Sequence, residues 1–439
     1  MAKAKLCIFL GALLGFLLLK VHWQYEYPGW SETINITGSL ITFERSQDMI
    51  LVSRGKETVV DLYKAMGWSH VHDRYVQICI FRLASQGLLT KYLPYSEALY
   101  KQDIKSRQMN FQDYSLKSLP YIPPDQMEQL NGYIDGINSY LQSHPRPLEF
   151  ILFNYVPEPF VVADVMTITK FIAYAGLNDI CLIVEKLVLE IARETDQLDI
   201  FKMVFEPHLN HVNDELIEIY KTIKDFRPLG DQNTIHVPKL TNSNNWVVSG
   251  KLSQSGFPIL GTDPHMDISN YPNIFYESQY IGEDGLNVIG ISAPGNPGII
   301  MGRSSYVAWG LTFGMLDMSD YFVENIDNMR YERDGQFLPL KERVISIAGN
   351  DCYFYDTDDG HTIERSLESI NKPIGSGRYL AAKYALTTDA DSAMVDLLSS
   401  GVLAKNIFEM KDKLAVNLLG TNYVLADTSG NIAYQQVNI

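Results

Sequence analysis

The chain has 439 residues, 46% of them hydrophobic, and 36 Lys and Arg against 52 Asp and Glu give a formal net charge of −16. This composition is typical of a folded globular protein and excludes a disordered chain. The acidic balance, with no Lys/Arg-rich run, argues against a nucleic-acid partner. The four cysteines, Cys7, Cys79, Cys181 and Cys352, form no CxxC pair, which favours buried free thiols over a zinc site or a disulfide framework.

The N-terminus carries an export segment. Lys3 and Lys5 precede an uninterrupted apolar stretch at residues 6–19, which Lys20 closes. Its length is typical of a signal peptide and short of the roughly 20 residues that span a bilayer. Because no small-x-small cleavage site follows, residues 1–29 are a removed signal or an uncleaved membrane anchor, and a buried helix is the alternative. We therefore expect an extracytoplasmic protein, periplasmic or secreted.

Residues 30–225 are predicted to be rich in helices. After Pro123-Pro124-Asp125, apolar residues recur at intervals of three and four, which is the period of one buried helix face. They are Met127, Leu130, Tyr133, Ile134, Ile137, Tyr140 and Leu141. Similar spacing in residues 68–79, 182–191 and 216–223 predicts further helices.

A linker and a β-rich part follow. Residues 226–242 are polar, contain Pro and Gly and lack periodicity, which predicts an exposed connection. In residues 243–439, short apolar runs alternate with Gly, Pro, Asn and Asp turns, which predicts strands. The runs are residues 246–248, 275–276, 288–291, 299–301 and 306–309, and a hairpin is predicted from residues 423–434. These patterns predict an α+β protein.

An ordered set of motifs runs through the chain. They are Gly67-Trp68-Ser69-His70-Val71-His72-Asp73-Arg74-Tyr75-Val76-Gln77 with Arg82 and Gly87, Tyr133-Ile134-Asp135-Gly136-Ile137-Asn138-Ser139-Tyr140, Pro147-Leu148-Glu149-Phe150, Pro157-Glu158-Pro159-Phe160 with Asp164, Ser243-Asn244-Asn245-Trp246, Asp263-Pro264-His265, Pro294-Gly295-Asn296-Pro297-Gly298, Ala308-Trp309-Gly310-Leu311-Thr312, and residues 422–434. By pattern alone, Ser243 is more often a turn residue than a nucleophile. In this order, however, the motifs resemble those of the penicillin acylase family of N-terminal nucleophile hydrolases, which includes acyl-homoserine-lactone acylases. The resemblance covers residue 38 to the last residue.

The resemblance implies a fold and a reaction. The fold would be a four-layer αββα sandwich, with an α-chain region in residues 30–225 and a β-chain region from Ser243. The precursor would cut itself before Ser243 and yield an α/β heterodimer that hydrolyses the linear amide of an N-acylated small molecule. A serine that begins a chain can use its own α-amine, with a pKa of about 8, as the base. His265 would position that amine, and the alternative is an ordinary hydrogen-bonded histidine. The backbone N–H of Phe313 would stabilise the oxyanion.

The resemblance also implies a structural calcium ion. Asp317 and Asp320 match the segment whose carboxylates bind the ion in the family, and Asp179 would add a third carboxylate from the helical half. Carboxylate oxygens are the ligands that Ca²⁺ prefers. Solvated surface carboxylates are the alternative in a chain this acidic.

Several positions depart from the family. Asn242 stands where the family has Gly before the nucleophile, Arg303-Ser304 replaces His-Asn, and Gly360-His361 replaces Gly-Pro. A later family segment, with an Asn that donates a second oxyanion hydrogen bond, has no counterpart in these 439 residues, so we expect a fragment or a shortened relative with weakened catalysis. The alternative functions are an inactive extracytoplasmic binding protein and a structural envelope protein. The pattern does not indicate which acyl chain or amine is bound.

Overall fold

The computed structural model describes most of the chain in several ranges. They are residues 28–48, 50–56, 59–178, 186–187, 190–191, 203, 214–226, 240–266, 272–283, 285–314, 318–387, 400–415 and 420–437. Within these ranges no helix is long and apolar enough to cross a membrane. The predicted apolar segment at residues 6–19 lies outside them. Cys79 and Cys352 are buried free thiols, as predicted, whereas Cys7 and Cys181 are also outside the described residues.

Three strands precede the helices, and sequence analysis did not predict them. They are β1 (Ser31–Ile36), β2 (Ser39–Arg45) and β3 (Leu51–Gly55). The turn between β1 and β2 has positive φ at both Thr37 and Gly38, the conformation that suits the twist of a two-residue hairpin. Ile41 and Phe43 alternate along β2 and are fully buried, so this meander belongs to the core.

The described part of residues 30–225 is otherwise mainly helical, as predicted, although the helix predicted at residues 216–223 ends at Lys221 and a two-residue strand follows it. The helices are α1 (Val59–Gln86), α2 (Leu89–Tyr92), α3 (Glu97–Met109), α4 (Phe111–Ser118), α5 (Pro124–Ser143), α6 (Leu148–Leu152), α7 (Val162–Ala173) and α8 (Asp214–Lys221), and α9 (Ile407–Leu414) follows later. Helix α5 confirms its prediction, because Pro124 begins it and Leu130, Tyr133 and Ile137 are buried. Of the helix predicted at residues 182–191, only positions 186–187 and 190–191 are described, and they are helical.

The remaining strands lie mostly in the second half. They are β4 (Ile223–Lys224), β5 (Leu240–Val248), β6 (Ile259–Met266), β7 (Tyr276–Gly282), β8 (Asn287–Ala293), β9 (Asn296–Arg303), β10 (Val307–Phe313), β11 (Ser319–Asp327), β12 (Arg330–Arg333), β13 (Gln336–Pro339), β14 (Lys341–Ile347), β15 (Asn350–Asp356), β16 (Thr362–Ile363), β17 (Gly377–Tyr384), β18 (Thr421–Asp427) and β19 (Ile432–Val437). The predicted hairpin at residues 423–434 is confirmed as β18–β19. Strand β5 begins at Leu240 and so extends three residues into the predicted linker.

The strands of the described ranges form two large sheets and one small one. The first has nine strands in the order β1-β2-β3-β7-β8-β9-β10-β18-β19. The second sheet has the order β13-β12-β11-β17-β16-β15-β14, and β4 pairs with β17. The small sheet consists of β5 and β6. Among the described strands, all pairings are antiparallel except β3 with β7 and β4 with β17.

The main core joins both halves of the chain. It contains Trp68 of α1 and Tyr133 of α5 together with Trp309 of β10 and Leu425 of β18. Because β3 from the first half pairs with β7 from the second, the helix-rich and sheet-rich regions share one sheet as well as one core.

Candidate functional site

Ser243 lies on a hairpin that packs across the nine-stranded sheet. Strands β5 and β6 pair in the register Ser243↔Pro264, and both contact β10 and β18. Gly310 of β10 makes this close approach feasible, since a Cβ there would lie 2.6 Å from the Cβ of Thr262. The hairpin can approach β10 this closely because Gly310 has no side chain. Ser243 is therefore held against the large sheet.

The two faces of the hairpin differ. Successive strand residues point to opposite faces, and along β5 Ser243, Asn245 and Val247 are partly buried whereas Asn244 and Trp246 are exposed. Trp246 is 52% exposed on the outer face. The side chain of Ser243 therefore points toward the nine-stranded sheet.

A small asparagine network connects the strand of Ser243 to the end of β10. The Nδ2 of Asn245 donates to the carbonyl of Asn422 at 3.4 Å. The Nδ2 of Asn422 donates to Thr312 Oγ1 at 3.3 Å and to the carbonyl of Phe313 at 3.2 Å, and its Oδ1 accepts from the Tyr434 hydroxyl at 2.7 Å. Asn245 and Asn422 lie within the sequence motifs, but the sequence predicted no role for either, because a contact between distant strands leaves no local signal.

Phe313 ends β10, where it pairs with Thr421. The next residue, Gly314, donates its N–H to the carbonyl of Gly420 at 2.8 Å. Because hydrogen-bonded and non-hydrogen-bonded pairs alternate along an antiparallel ladder, the N–H of Phe313 points away from β18. Among the described pairings, β9 pairs with β10 only at Ala308 and Trp309, so the two strands have diverged before Phe313. The N–H of Phe313 points to the side of β10 from which β9 has diverged.

His265 is placed on the face opposite to the Ser243 side chain. It pairs with Asn242 across the hairpin, and its Nε2 lies 3.0 Å from Asp263 Oδ2 and 3.4 Å from Asn244 Nδ2. Its side chain is 42% exposed. The structure thus brings Ser243 and His265 onto adjacent strands, one residue apart in register, without bringing their side chains together.

Of the three predicted calcium ligands, the described ranges include Asp320 alone. It is exposed on β11, directly opposite Lys383 of β17. Asp179 and Asp317 lie outside the described residues. Among the residues that are described, no group of three or more His, Cys, Asp or Glu side chains is arranged to hold a metal ion.

The comparisons with known proteins point in one direction. The family model described as "Penicillin amidase" matches residues 57–438. The chain is 23% identical over 323 residues to "Penicillin acylase 2 proenzyme" of Pseudomonas sp. (strain SE83), covering 69% of this chain and 40% of that protein. It is 23% identical over 310 residues to "Acyl-homoserine lactone acylase QuiP" of Pseudomonas aeruginosa, covering 67% of this chain and 36% of that protein.

A solved structure is also similar. The thermostable penicillin G acylase from Alcaligenes faecalis, in its orthorhombic form, aligns with a TM-score of 0.36 and 20% identity over 44% of this chain and 35% of that chain. The present chain spans less than half the length of the two curated relatives above.

Proposed function

Because the chain belongs to the penicillin amidase family, we propose that it is an acylase that hydrolyses the linear amide bond of an N-acylated small molecule. The observation that carries this proposal is the position of Ser243. Its side chain faces the large sheet, and its strand is connected through Asn245 and Asn422 to Phe313. A nucleophile and a backbone N–H donor on such fixed strands are the parts that acyl transfer needs.

The proposed reaction begins with maturation. The Ser243 Oγ attacks the carbonyl carbon of Asn242, the peptide C–N bond breaks as the ester C–O bond forms, and the hydroxyl proton passes to the Ser243 nitrogen. Water then hydrolyses the ester to a carboxylate on Asn242 and a free Ser243 hydroxyl. In the uncut strand the Ser243 nitrogen is an amide and cannot act as a base. Cutting converts it to an α-amine with a pKa of about 8, which can accept a proton near neutral pH.

The same oxygen then attacks the substrate. The α-amine takes the Ser243 hydroxyl proton, the Phe313 N–H donates to the tetrahedral oxyanion, and the leaving amine departs with the proton. Water hydrolyses the acyl ester and restores the serine. One oxyanion donor is typically worth about 3 to 4 kcal/mol. Asn242 pairs with His265 in the uncut strand, so its departure would leave the new amine beside His265, which we assign the role of positioning it.

Further family features belong to this proposal. The helices and the two large sheets would form the layers of an αββα sandwich, and the cut chains would stay together as a heterodimer because β3 pairs with β7. Asp320, with Asp317 and Asp179, would hold a structural calcium ion that takes no part in the chemistry. We also propose an extracytoplasmic location, with residues 6–19 as a signal or an anchor.

The first test is maturation. When the full chain is expressed, mass analysis should find a fragment that begins with Ser243. Ser243→Ala should abolish cutting, because both the acyl shift and the later hydrolysis use its oxygen, whereas Ser249→Ala, six residues along, should leave cutting intact. Asn242→Gly should raise the rate of cutting if the side chain before the nucleophile crowds the shift. Equal cutting of the wild type and Ser243→Ala would refute the role of Ser243.

Substrate assays complete this test. Phenylmethylsulfonyl fluoride should label Ser243 in the cut protein. Phenylacetyl amides and acyl-homoserine lactones are the first substrates to assay, and similar proteins are named as an acyl-homoserine lactone acylase and a penicillin G acylase. The second candidate is an inactive homologue that binds an acylated ligand. The separation of His265 from the Ser243 side chain favours it. A protein that neither cuts itself nor reacts at Ser243 would support this second function.

A further inference from the structure

An apolar surface lies on α6 and the loop that follows it. Six large apolar side chains are exposed within residues 148–161, and Leu152 among them is 72% exposed. They are Leu148, Ile151, Leu152, Phe153, Val156 and Val161. Single exposed apolar residues are ordinary, but Leu148, Ile151 and Leu152 share one face of α6 through their spacing of three and four, and a clustered apolar group marks an interaction surface. We call this group the α6 surface.

The α6 surface is held firmly in place. Phe150 and Tyr155 are buried beneath it, with ring centroids 4.9 Å apart. Arg146 Nη1 donates to the carbonyl of Tyr155 at 2.9 Å, and Arg82 Nη1 donates to the carbonyl of Glu158 at 2.6 Å. The segment is thus packed on its inner side, and its apolar outer side is not the result of an unpacked loop.

A series of packed rings connects the first described residues to the α6 surface. A continuous series of ring contacts joins Trp30 to Phe150, with centroid distances between 5.4 and 5.9 Å. The contacts are Trp30–His72, His72–Tyr140, Tyr140–Tyr75 and Tyr75–Phe150. Trp30 is therefore four ring contacts from Phe150, which is buried beneath the α6 surface.

The segment that leads to this entry point has the composition of a bilayer anchor. The apolar residues 6–19 are followed by Trp23, Tyr25, Tyr27 and Trp30, and Trp and Tyr are enriched where a membrane meets water. From residue 19 to residue 28 the chain can reach about 30 Å when extended. Because four ring contacts of at most 5.9 Å each span less than this reach, the α6 surface can approach a bilayer that holds residues 6–19.

Charge and length indicate what the α6 surface contacts. Within residues 144–161, Arg146 is the sole Lys or Arg, against Glu149 and Glu158, so an apolar contact is favoured over attraction to anionic headgroups. The apolar stretch at residues 6–19 is shorter than the roughly 20 residues of a full membrane span. A second apolar contact on the same chain strengthens attachment to the bilayer, because the tether gives it a high local concentration at the membrane surface.

We infer that the α6 surface docks on a phospholipid bilayer beside the N-terminal anchor and so fixes the orientation of the protein on the membrane. The side chains of Ile151 and Leu152 enter the interface between headgroups and acyl chains. This inference is independent of amide hydrolysis and depends only on residues 6–19 remaining with the chain.

The experiment uses the full chain in phosphatidylcholine vesicles that contain a phospholipid with a photoactivatable acyl chain. After illumination, mass analysis compares lipid adducts on peptides from residues 6–19, from the α6 surface and from the β5–β6 turn. Leu252 and Phe257 of that turn are 83% and 61% exposed and serve as the internal reference. We expect at least fivefold more adduct on the α6 surface than on this reference, with little dependence on salt.

Variants separate the docking surface from the anchor. Ile151→Ser with Leu152→Ser should lower labelling of the α6 surface at least fivefold and leave labelling of residues 6–19 and the melting temperature unchanged. Leu252→Ser with Phe257→Ser should change neither. Equal labelling of the α6 surface and the reference would overturn the inference, as would a dimer in solution that the α6 double variant abolishes. Absence of lipid adducts from the α6 surface, with residues 6–19 labelled, would also overturn it.

Discussion

His70 of α1 is fully buried between Tyr133 of α5 and Ser292 of β8. The Gly295 N–H donates to the Tyr133 hydroxyl oxygen at 3.0 Å, so the hydroxyl proton is directed to His70 Nδ1 at 2.7 Å. Ser292 Oγ donates to the carbonyl of Tyr276 at 3.1 Å and accepts from His70 Nε2 at 2.8 Å. This chain of bonds requires a neutral imidazole, and burial lowers the pKa of His70 to about 3.

The lowered pKa of His70 predicts acid destabilisation. Below pH 6.5 His70 is protonated in the unfolded chain, whereas in the folded chain it stays neutral down to about pH 3. The free energy of unfolding therefore falls as pH is lowered through this window. Between pH 7 and pH 5 the loss from this group is about 2 kcal/mol. Urea unfolding of His70→Gln should therefore show a pH dependence weaker by about that amount, even if the variant is less stable overall.

The wild type, unfolded in urea at the same two pH values, is the reference for this variant. If His70→Gln retained the full slope between pH 7 and pH 5, the acid sensitivity would have to come from other groups.

At the scale of elements, glycines set the distance between α1 and α5. A Cβ at Gly67 would lie 1.9 Å from the carbonyl oxygen of Tyr133, and one at Gly136 would lie 2.0 Å from that of Lys64. Neither of these two carbonyls, nor the helices α1 and α5 that carry them, can move without disturbing the buried rings around Trp68 and Tyr133. These two glycines, both in the sequence motifs, therefore allow the helices to touch at their backbones.

Gly136→Ala should separate the helices and destabilise the fold. Overpacking of this kind costs about 1 to 3 kcal/mol or more, and we expect at least about 2 kcal/mol in urea unfolding. Gly176→Ala is the matched control, because nothing lies within 4 Å of its added Cβ, and it should change the free energy of unfolding by less than about 0.5 kcal/mol. Equal effects of the two substitutions would show that the close helix approach is not maintained in solution.

At the scale of the whole molecule, the two halves of the chain build one structure. Strands β1–β3 come from the first half, yet they extend the nine-stranded sheet of the second half through β7. Cutting before Ser243 would not interrupt that pairing or the shared core. A metal ion with ligands from both halves would add a further connection, and this is the role we propose for calcium.

The calcium proposal predicts a change in melting temperature. If the folded chain alone binds the ion, excess calcium should raise the melting temperature by about 2 to 4 °C and chelation should lower it. Asp320→Ala should remove this dependence, whereas Asp351→Ala, at an exposed carboxylate of β15, should preserve it. Identical melting curves with calcium and with chelator would eliminate the site.

Sequence by itself determined the features whose signals are local. Pro124 and the three-and-four spacing after it specified α5, the alternating runs specified β8 to β10, and the turn at residues 427–431 specified the last hairpin. The order of the motifs was sufficient to indicate the family, because each motif is a short contiguous stretch.

Tertiary structure alone decided the features that depend on distant partners. Strands β1–β3 are stable as part of a sheet whose next strand begins at Tyr276, and the contact of Asn245 with Asn422 joins strands far apart in the chain. The faces of Ser243 and His265 follow from the register of β5 with β6. A shift of one residue would exchange those faces, and register is set by packing against β10 and β18, which no local pattern in the sequence records.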